Sequence, residues 1–246
     1  MRKYGIIGKP LEHSYSAQYF TEKFTREHID AEYQAYEIND LTRINALMQE
    51  LHGFNVTHPY KEEIITHLHD IDPVAKAIGA VNVVHQCKGY NTDWIGFMQS
   101  ITPHLTENDK NVLVLGTGGV SKAVQYALQQ MGLHFTLVSR TPTNKSIGYN
   151  NITQEIIEQH SVIVNCTPLG MLPNIASIPP IPYQHLTHAH LLYDCVYNPA
   201  CTAFLNEGQK RGTRIVNGMQ MLLMQANAAW EIWSMVSSCS ELFRIV

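Results

Sequence analysis

The sequence lacks the features that mark membrane, secreted or nucleic-acid-binding proteins. None of its apolar runs approaches the ~20 residues that a membrane-spanning helix needs. The formal net charge is −4 and there is no long basic run, so we expect no nucleic-acid partner. The N-terminus enters a strand pattern directly, without the apolar core and cleavage site of a signal peptide. We therefore expect a cytoplasmic protein that does not bind a membrane.

Cysteine is scarce as well. The cysteines are odd in number, widely spaced and free of CxxC pairs: Cys87, Cys166, Cys195, Cys201 and Cys239. This pattern indicates neither a disulfide framework nor a thiolate zinc site. Histidines are numerous, but no HExxH motif occurs and no carboxylate stands at ligand spacing beside them, so we expect no metal.

What the chain does contain is an alternation of short apolar strands and amphipathic helices, which predicts an α/β fold. With 246 residues, 45% of them apolar and 15% charged, it can bury a sizeable core. The polar stretch Thr102–Asp109 contains Pro103 and interrupts the alternation. We place a domain boundary there, with one α/β domain over residues 1–101 and a second over 102–218.

A glycine turn opens the second domain. The apolar strand Asn111–Leu115 runs into Gly116, Gly118 and Gly119, and an alanine- and leucine-rich helix follows. Such glycines allow a tight turn and a close approach to a pyrophosphate, which the free N–H groups at a helix start then bind. A second strand follows at His134–Val138, as the dinucleotide-binding pattern requires. The sequence therefore predicts a dinucleotide cofactor.

The end of that second strand indicates which dinucleotide binds. An NAD enzyme usually carries an acidic residue there for the ribose 2′-hydroxyl. This chain instead has Ser139, Arg140 and Thr141, with Lys145 shortly after. An arginine pairs well with a 2′-phosphate, so we expect NADP.

The stretch Gly53–Lys61 reads as a short strand, a turn at Pro59 and a lysine at the start of a helix that continues over Glu62–His69. Polar side chains at strand ends in α/β proteins face a crevice, so we expect Asn55, Thr57 and Lys61 to converge on one opening. The local pattern by itself favours a strand followed by a solvated lysine. Other parts of the chain must decide between a site residue and a surface residue.

Four further polar residues have two interpretations each. Ser14 and Ser16 stand at a helix start, where a hydroxyl either caps the helix or helps to bind an anion. Asn82 interrupts an apolar strand and is either a structural hydrogen-bonding group or a ligand contact. Asp93 lies near another helix start and is either an N-cap or part of a site.

Several stretches match the motifs of one family in the family's own order. They are Gly8–Ser16 (GKPLEHSYS), Gly53–Lys61 (GFNVTHPYK), Gly79–Asp93 (GAVNV, then NTD), the glycine turn with Asn165–Met171 (NCTPLGM), and Tyr193–Leu205 (YDCVYNP, then TAFL) followed by Gly218–Gln225. With this set, which covers nearly the whole chain, the sequence resembles the shikimate dehydrogenases. These enzymes reduce 3-dehydroshikimate to shikimate with NADPH.

The resemblance implies two α/β domains with a cleft between them. Residues 1–101, completed by C-terminal helices over 219–246, would bind the substrate, and residues 102–218 would form a Rossmann-like NADP domain. Lys61 and Asp93 match the family's catalytic pair. The family's oligomeric state would be a monomer or a homodimer.

The resemblance also assigns contacts. Ser14 and Ser16, with Tyr197, would hold the substrate carboxylate. The ring hydroxyls would bind to Thr57, Asn82, Asp93 and Gln225. The expected cofactor contacts are Gly116, Gly118, Gly119, Ser139, Arg140, Thr141, Thr167 and Gly218.

The chain departs from the family at Ser139, where asparagine is common, and in the segment 142–152, which is short and loop-like here. Two rival functions share the pattern: a quinate or dual quinate/shikimate dehydrogenase, and an inert NADP-binding regulator. Arg140 argues against an NAD-dependent quinate enzyme. Lys61 together with Asp93 argues against the regulator, which would need neither.

Overall fold

Two separate β-sheets, each with helices packed on it, organise the chain. The structure, a computed structural model, describes residues 1–12 and 14–235. The expectations that concern His13 and residues 236–246 lie outside this part of the chain. Within it, no helix is both long and apolar enough to cross a membrane.

The first half of the chain forms the first sheet and its helices. In order they are β1 (Arg2–Gly8), α1 (Ser16–Arg26), β2 (Ala31–Glu37), α2 (Ile44–Glu50), β3 (Gly53–Val56), β4 (Asp70–Ile71), α3 (Pro73–Ile78), β5 (Val83–His85), β6 (Lys88–Tyr90) and α4 (Asp93–Ile101). The strand order across this sheet is β2-β1-β3-β5-β6-β4. β1 runs parallel to β2 and β3, whereas β3 and β5 are antiparallel.

The second half forms the second sheet. Its elements are β7 (Asn111–Leu115), α5 (Gly119–Gln130), β8 (His134–Ser139), β9 (Ile147–Gly148), α6 (Gln154–Gln159), β10 (Val162–Asn165), β11 (Leu191–Asp194), α7 (Ala203–Gln209), β12 (Arg214–Val216) and α8 (Met219–Ser234). Its strands run in the order β12-β11-β10-β7-β8-β9, and every pairing is parallel. This is the doubly wound order of dinucleotide-binding folds, and β10 and β11 are buried throughout, as helices on both faces require.

The last helix returns to the first sheet. Trp233 on α8 stacks on Tyr4 with ring centroids 5.1 Å apart, and its Nε1 donates to the carbonyl of Val84 at 3.1 Å. Ala226 and Ala229 join the same buried cluster. Residues 219–235 therefore pack with the first half of the chain, as expected for a helix that completes the substrate domain. The domain boundaries themselves stay a prediction.

Local details differ from the sequence pattern where tertiary pairing outweighs it. The helix expected over Glu62–His69 is a short 3-10 helix, Glu63–His67, whose β-branched residues have low helix propensity. The turn between β5 and β6 is made by Gln86 and Cys87, which both have positive φ. The segment 142–152 contains β9 and a 3-10 turn (Tyr149–Asn151), because β9 pairs with β8.

Candidate active site

Lys61 and Asp93 form a buried ion pair. The Lys61 Nζ lies 2.6 Å from Asp93 Oδ2, and the two side chains are only 13% and 7% exposed. Lys61 follows β3, and Asp93 is the first residue of α4. The local alternatives, a solvated lysine and a helix-capping aspartate, are therefore wrong, because the two side chains pair with each other.

Asn82 holds the second oxygen of that carboxylate. Its Nδ2 lies 2.9 Å from Asp93 Oδ1, 3.0 Å from Thr92 Oγ1 and 3.3 Å from Gln225 Oε1. Its Oδ1 accepts from the Thr92 backbone N–H at 2.7 Å. Asn82 thus makes structural hydrogen bonds, and it links Gln225 of α8 to the ion pair. Its assignment as a substrate contact stays a prediction.

The sequence pattern missed one supporting residue and misplaced another. Asn91 accepts from the Asp93 N–H at 3.0 Å and donates to the Ala80 carbonyl at 2.9 Å, which fixes the start of α4. Its position in the N-T-D motif was the available signal. Asn55 is buried rather than at the opening, because its side chain bonds to Tyr33 and to the Asn82 carbonyl.

The two serines do not cap α1. The helix begins at Ser16, its N-cap residue is Tyr15, and no side-chain capping bond forms. Ser16 is buried and hydrogen-bonds to Tyr33, while Ser14 is partly exposed. The capping interpretation is therefore excluded for both serines, and the interpretation that their hydroxyls help to bind an anion stays a prediction.

Tyr197 comes from the second half of the chain to the same corner. Its hydroxyl lies 3.4 Å from the Tyr15 backbone N–H, which can donate to it. Burial raises the pKa of Tyr197, so the hydroxyl stays protonated at neutral pH. Thr57 lies at the end of β3 and packs closely over Gly8, where a Cβ would come within 2.3 Å of Thr57 Cγ2.

The glycine turn lies directly against the ion pair. Gly116 has φ +102°, a conformation that favours glycine, and a Cβ there would lie 3.0 Å from Thr167 Cγ2. Gly118 is the N-cap of α5, has no side-chain capping bond and faces open space. A Cβ on Gly119 would lie 3.3 Å from Lys61 Cβ. Open space before free helix N–H groups fits a dinucleotide pyrophosphate.

The end of β8 offers room for a charged group. The Thr141 N–H donates to Ser139 Oγ at 3.2 Å. A cavity of about 310 Å³ lies beside them, lined by Arg140, Pro142, Gly148, Tyr149, Asn150 and Asn151. Arginine is the one charged residue of that lining, which fits the 2′-phosphate of NADP.

Thr167 lies just beyond β10, and Gly218 lies just beyond β12, against the Cys195 backbone that follows β11. The backbone N–H and the hydroxyl of Thr167 donate to Asn165 Oδ1, at 3.0 and 2.6 Å. Asn165 in turn donates to Asp194 Oδ1 at 3.0 Å. A Cβ on Gly218 would come within 2.3 Å of the Cys195 carbonyl oxygen, so this position needs glycine. Asn165 and Asp194 thus hold Thr167 in place. Both residues lie in the matched motifs, but the motifs did not indicate that the two side chains bond to each other.

The structure therefore joins the Lys61–Asp93 pair to Asn82 and Gln225 by hydrogen bonds, and the glycine turn at the start of α5 packs against Lys61. We call the place where these groups meet the cleft. A doubly wound sheet with a dinucleotide turn faces a buried lysine–carboxylate pair. This combination defines the class of dinucleotide-dependent oxidoreductases that use a side-chain acid. Among residues 1–12 and 14–235, no group of three or more potential metal ligands is found.

Comparison with known proteins narrows this class. Residues 6–84 match the family model of the shikimate dehydrogenase substrate binding domain. A shikimate dehydrogenase (NADP+) of Carboxydothermus hydrogenoformans is 37% identical over 95% of this chain and 91% of its own. Its counterpart in Methanosphaera stadtmanae is 33% identical over 94% of this chain and 90% of its own.

Solved structures agree. The shikimate dehydrogenase of Aquifex aeolicus superimposes with a TM-score of 0.85 at 34% identity, over 95% of this chain and 92% of its own. That of Thermus thermophilus, in complex with NADP(H) and shikimate, gives a TM-score of 0.85 at 27% identity, over 96% and 94%. The chain belongs to the shikimate dehydrogenase family. The expected fold class is thereby confirmed.

Proposed function

We propose that this protein catalyses the reversible, NADPH-dependent reduction of 3-dehydroshikimate to shikimate, a step toward the aromatic amino acids. The observation that carries the proposal is the buried pair Lys61–Asp93 placed against Gly119 at the start of α5. The shikimate dehydrogenases to which the chain is similar use NADP+, and the Thermus thermophilus structure holds both ligands.

Reduction of a ketone needs a hydride and a proton. NADPH, when bound, supplies the hydride. Lys61 then stabilises and protonates the developing alkoxide oxygen, because its ammonium group is buried and aimed by Asp93. Asn82 donates to the other carboxylate oxygen and Asn91 accepts from the Asp93 backbone N–H, so the carboxylate holds the lysine without being free to turn away. In the reverse direction the pair accepts the alcohol proton.

The surrounding groups match a hydroxylated ring acid. Ser14, Ser16 and Tyr197 would bind the carboxylate at the start of α1. The amides of Asn82 and Gln225, with Thr57 and Asp93, would bind the ring hydroxyls. Support comes from two contacts between distant parts of the chain, the Tyr15 N–H with the Tyr197 hydroxyl and Asn82 with Gln225.

We assign substrate binding to the first sheet with α8, and cofactor binding to the second sheet. Gly116, Gly118 and Gly119 would hold the pyrophosphate, and Thr167 with Gly218 would border the nicotinamide. Ser139, Arg140 and Thr141 would bind the 2′-phosphate. A cytoplasmic location and a monomeric or homodimeric state stay predictions.

A single assay tests the activity. The purified protein is given shikimate or quinate with NADP+ or NAD+, and reduced cofactor is measured by its absorbance. We expect the shikimate and NADP+ pair to react much faster than the other three pairs. The preference for NADP+ over NAD+ follows because Arg140 lines the cavity after β8 and no carboxylate lines it. Comparable rates with quinate would refute the substrate assignment, and comparable rates with NAD+ the cofactor assignment. NADP+ binding with no turnover would favour the inert regulator.

A further inference from the structure

Two cysteines that are distant in sequence meet at the base of the cleft. Cys166 and Cys195 each follow the last residue of a strand, and those last residues, Asn165 of β10 and Asp194 of β11, are register partners. The Cys195 N–H donates to the Asn165 carbonyl at 2.9 Å, so the pairing continues past the strand ends. The two Sγ atoms lie 3.9 Å apart, and both residues are half-buried.

We propose that Cys166 and Cys195 form a reversible oxidation site, in which a hydroperoxide converts the two thiols to a disulfide. Neighbouring strands lie about 4.8 Å apart. This spacing is within the range of about 4.4–6.8 Å that disulfide Cα atoms span. Bond formation requires the sulfurs to close from 3.9 Å to about 2.05 Å. That movement is small enough for side-chain rotation with a modest backbone shift.

The surroundings assign a different part to each sulfur. The pKa of Cys195 is raised well above its ordinary value, first by its hydrogen bond with Cys166 and then by burial. The negative charges of Asp194 and Asp93 act in the same direction. Cys195 therefore stays protonated to higher pH, and we assign the first reaction with the oxidant to Cys166.

The reaction has two steps. The Cys166 thiolate attacks one peroxide oxygen, the O–O bond breaks, hydroxide leaves, and a sulfenic acid forms. The Cys195 sulfur then attacks the Cys166 sulfur, the S–O bond breaks, and the released hydroxide takes the thiol proton as water. The two sulfurs are oxidised by two electrons in total, and the peroxide is reduced to water.

The disulfide would disturb the cofactor side of the cleft. The Cys195 carbonyl oxygen lies where a Cβ on Gly218 would be only 2.3 Å away, so the backbone contact there is tight. On the other strand, the Cys166 carbonyl packs beside Gly116, and Cys166 directly precedes Thr167. Drawing the sulfurs together moves both backbones. We expect NADP+ affinity to fall by at least about tenfold, since displacements near 1 Å at such sites are costly.

The bond itself is tested without any activity measurement. The full-length protein is treated with hydrogen peroxide and then blocked with a thiol reagent. Trypsin leaves both cysteines in one peptide, residues 146–210, and a protease that cuts before Asp194 then separates them. A Cys166–Cys195 bond keeps the two fragments joined until a reductant is added. The same peptide contains Cys201, so the digest is repeated with Cys201→Ser.

The proposal requires a reductant-sensitive link in the wild type and in Cys201→Ser, and none in Cys166→Ser or Cys195→Ser. Peroxide should weaken NADP+ binding, measured by calorimetry, only in the two proteins that form the link. Separate fragments in the oxidised wild type would overturn the proposal. So would a peroxide-induced loss of NADP+ binding in Cys195→Ser that equals the loss in the wild type. Because neither measurement uses shikimate, failure here leaves the proposed activity untouched, and an inactive protein leaves the disulfide test valid.

Discussion

At the scale of single residues, the environment of Lys61 decides its chemistry. A lysine ammonium is strongly hydrated, and burying it is costly unless a carboxylate pairs with it. Here Asp93 pairs at 2.6 Å and is itself held by Asn82 through its other oxygen. The ion pair is therefore kept in one geometry, as a proton donor to a developing alkoxide needs.

This arrangement predicts the effect of removing the ammonium group. Lys61→Ala should lower kcat by roughly 10²-fold or more and change KM much less, because the group acts mainly in the transition state. Steady-state kinetics with shikimate and NADP+ measure both constants. The exposed Lys110→Ala is the matched control and should behave as wild type. A loss confined to KM would make Lys61 a binding residue only.

Asp194 is a second buried carboxylate, away from the ion pair. It is fully buried and accepts from Thr202 Oγ1 at 2.5 Å, the Val196 N–H at 3.0 Å and Asn165. Burial raises its pKa from 3.8 to about 6, although these three hydrogen bonds oppose the shift. Its ionisation in the folded protein therefore costs stability, fully so above pH 6 and not at all below pH 3.8.

The Asp194→Asn variant should lose this pH dependence. A shift from 3.8 to about 6 corresponds to about 3 kcal/mol, which the wild type loses as the pH rises through that window. Urea unfolding of both proteins from pH 4 to 7 should thus show the variant gaining about 3 kcal/mol relative to wild type. The exposed Glu107→Gln serves as control, with a constant difference. A constant difference for Asp194→Asn as well would contradict the raised pKa.

At the scale of elements, the contact between α4 and α8 positions the site. Gly96 of α4 lies against α8, where a Cβ would come within 2.5 Å of the Met221 carbonyl oxygen and 3.0 Å of the Gln225 backbone N. Asp93 begins α4, and Gln225 lies on α8. The close approach of these helices therefore determines how Gln225 meets Asn82, which in turn bonds to Asp93.

Adding one methyl group at Gly96 should separate α4 from α8. Gly96→Ala should cost about 1–3 kcal/mol of stability, because the backbone of α8 has no room for the Cβ. It should also lower kcat/KM for shikimate, since Gln225 moves away from the pocket. Thermal unfolding and kinetics measure these effects. Gln99→Ala, an exposed change on the same helix, should leave both unchanged. Normal kinetics in Gly96→Ala would show that the helix contact does not set the pocket.

At the scale of the whole molecule, the two halves meet where the reaction would occur. Lys122 on α5 forms an ion pair at 2.6 Å with Glu62, the residue that follows Lys61. Both of these side chains are partly exposed, so the pair contributes at most about 1 kcal/mol. Gly119 of α5 also packs against Lys61, and a Cβ on this glycine would lie 3.3 Å from Lys61 Cβ, which is tighter than most Cβ contacts. The two halves therefore meet at Lys61 through a close backbone approach as well as through this ion pair.

Features that depend on neighbouring residues were predictable from the sequence. The glycine turn after β7 and Arg140 after β8 are local, because a tight turn and a phosphate-binding strand end need only adjacent residues. The strand–helix alternation likewise predicted the two α/β halves. Predictions failed where a local pattern competed with packing, as for the expected helix at Glu62–His69 and the expected exposure of Asn55.

The sequence by itself therefore determined which chemical groups this protein has and which backbone turns it can make. Only the tertiary structure decided which groups meet. Lys61 and Asp93 are 32 positions apart, and Asn82 and Gln225 are 143 apart. Cys166 and Cys195 become neighbours because β10 and β11 pair in register. Such contacts follow from chain topology, which no local pattern encodes, and they convert an unremarkable lysine after Pro59 into the predicted proton donor of the cleft.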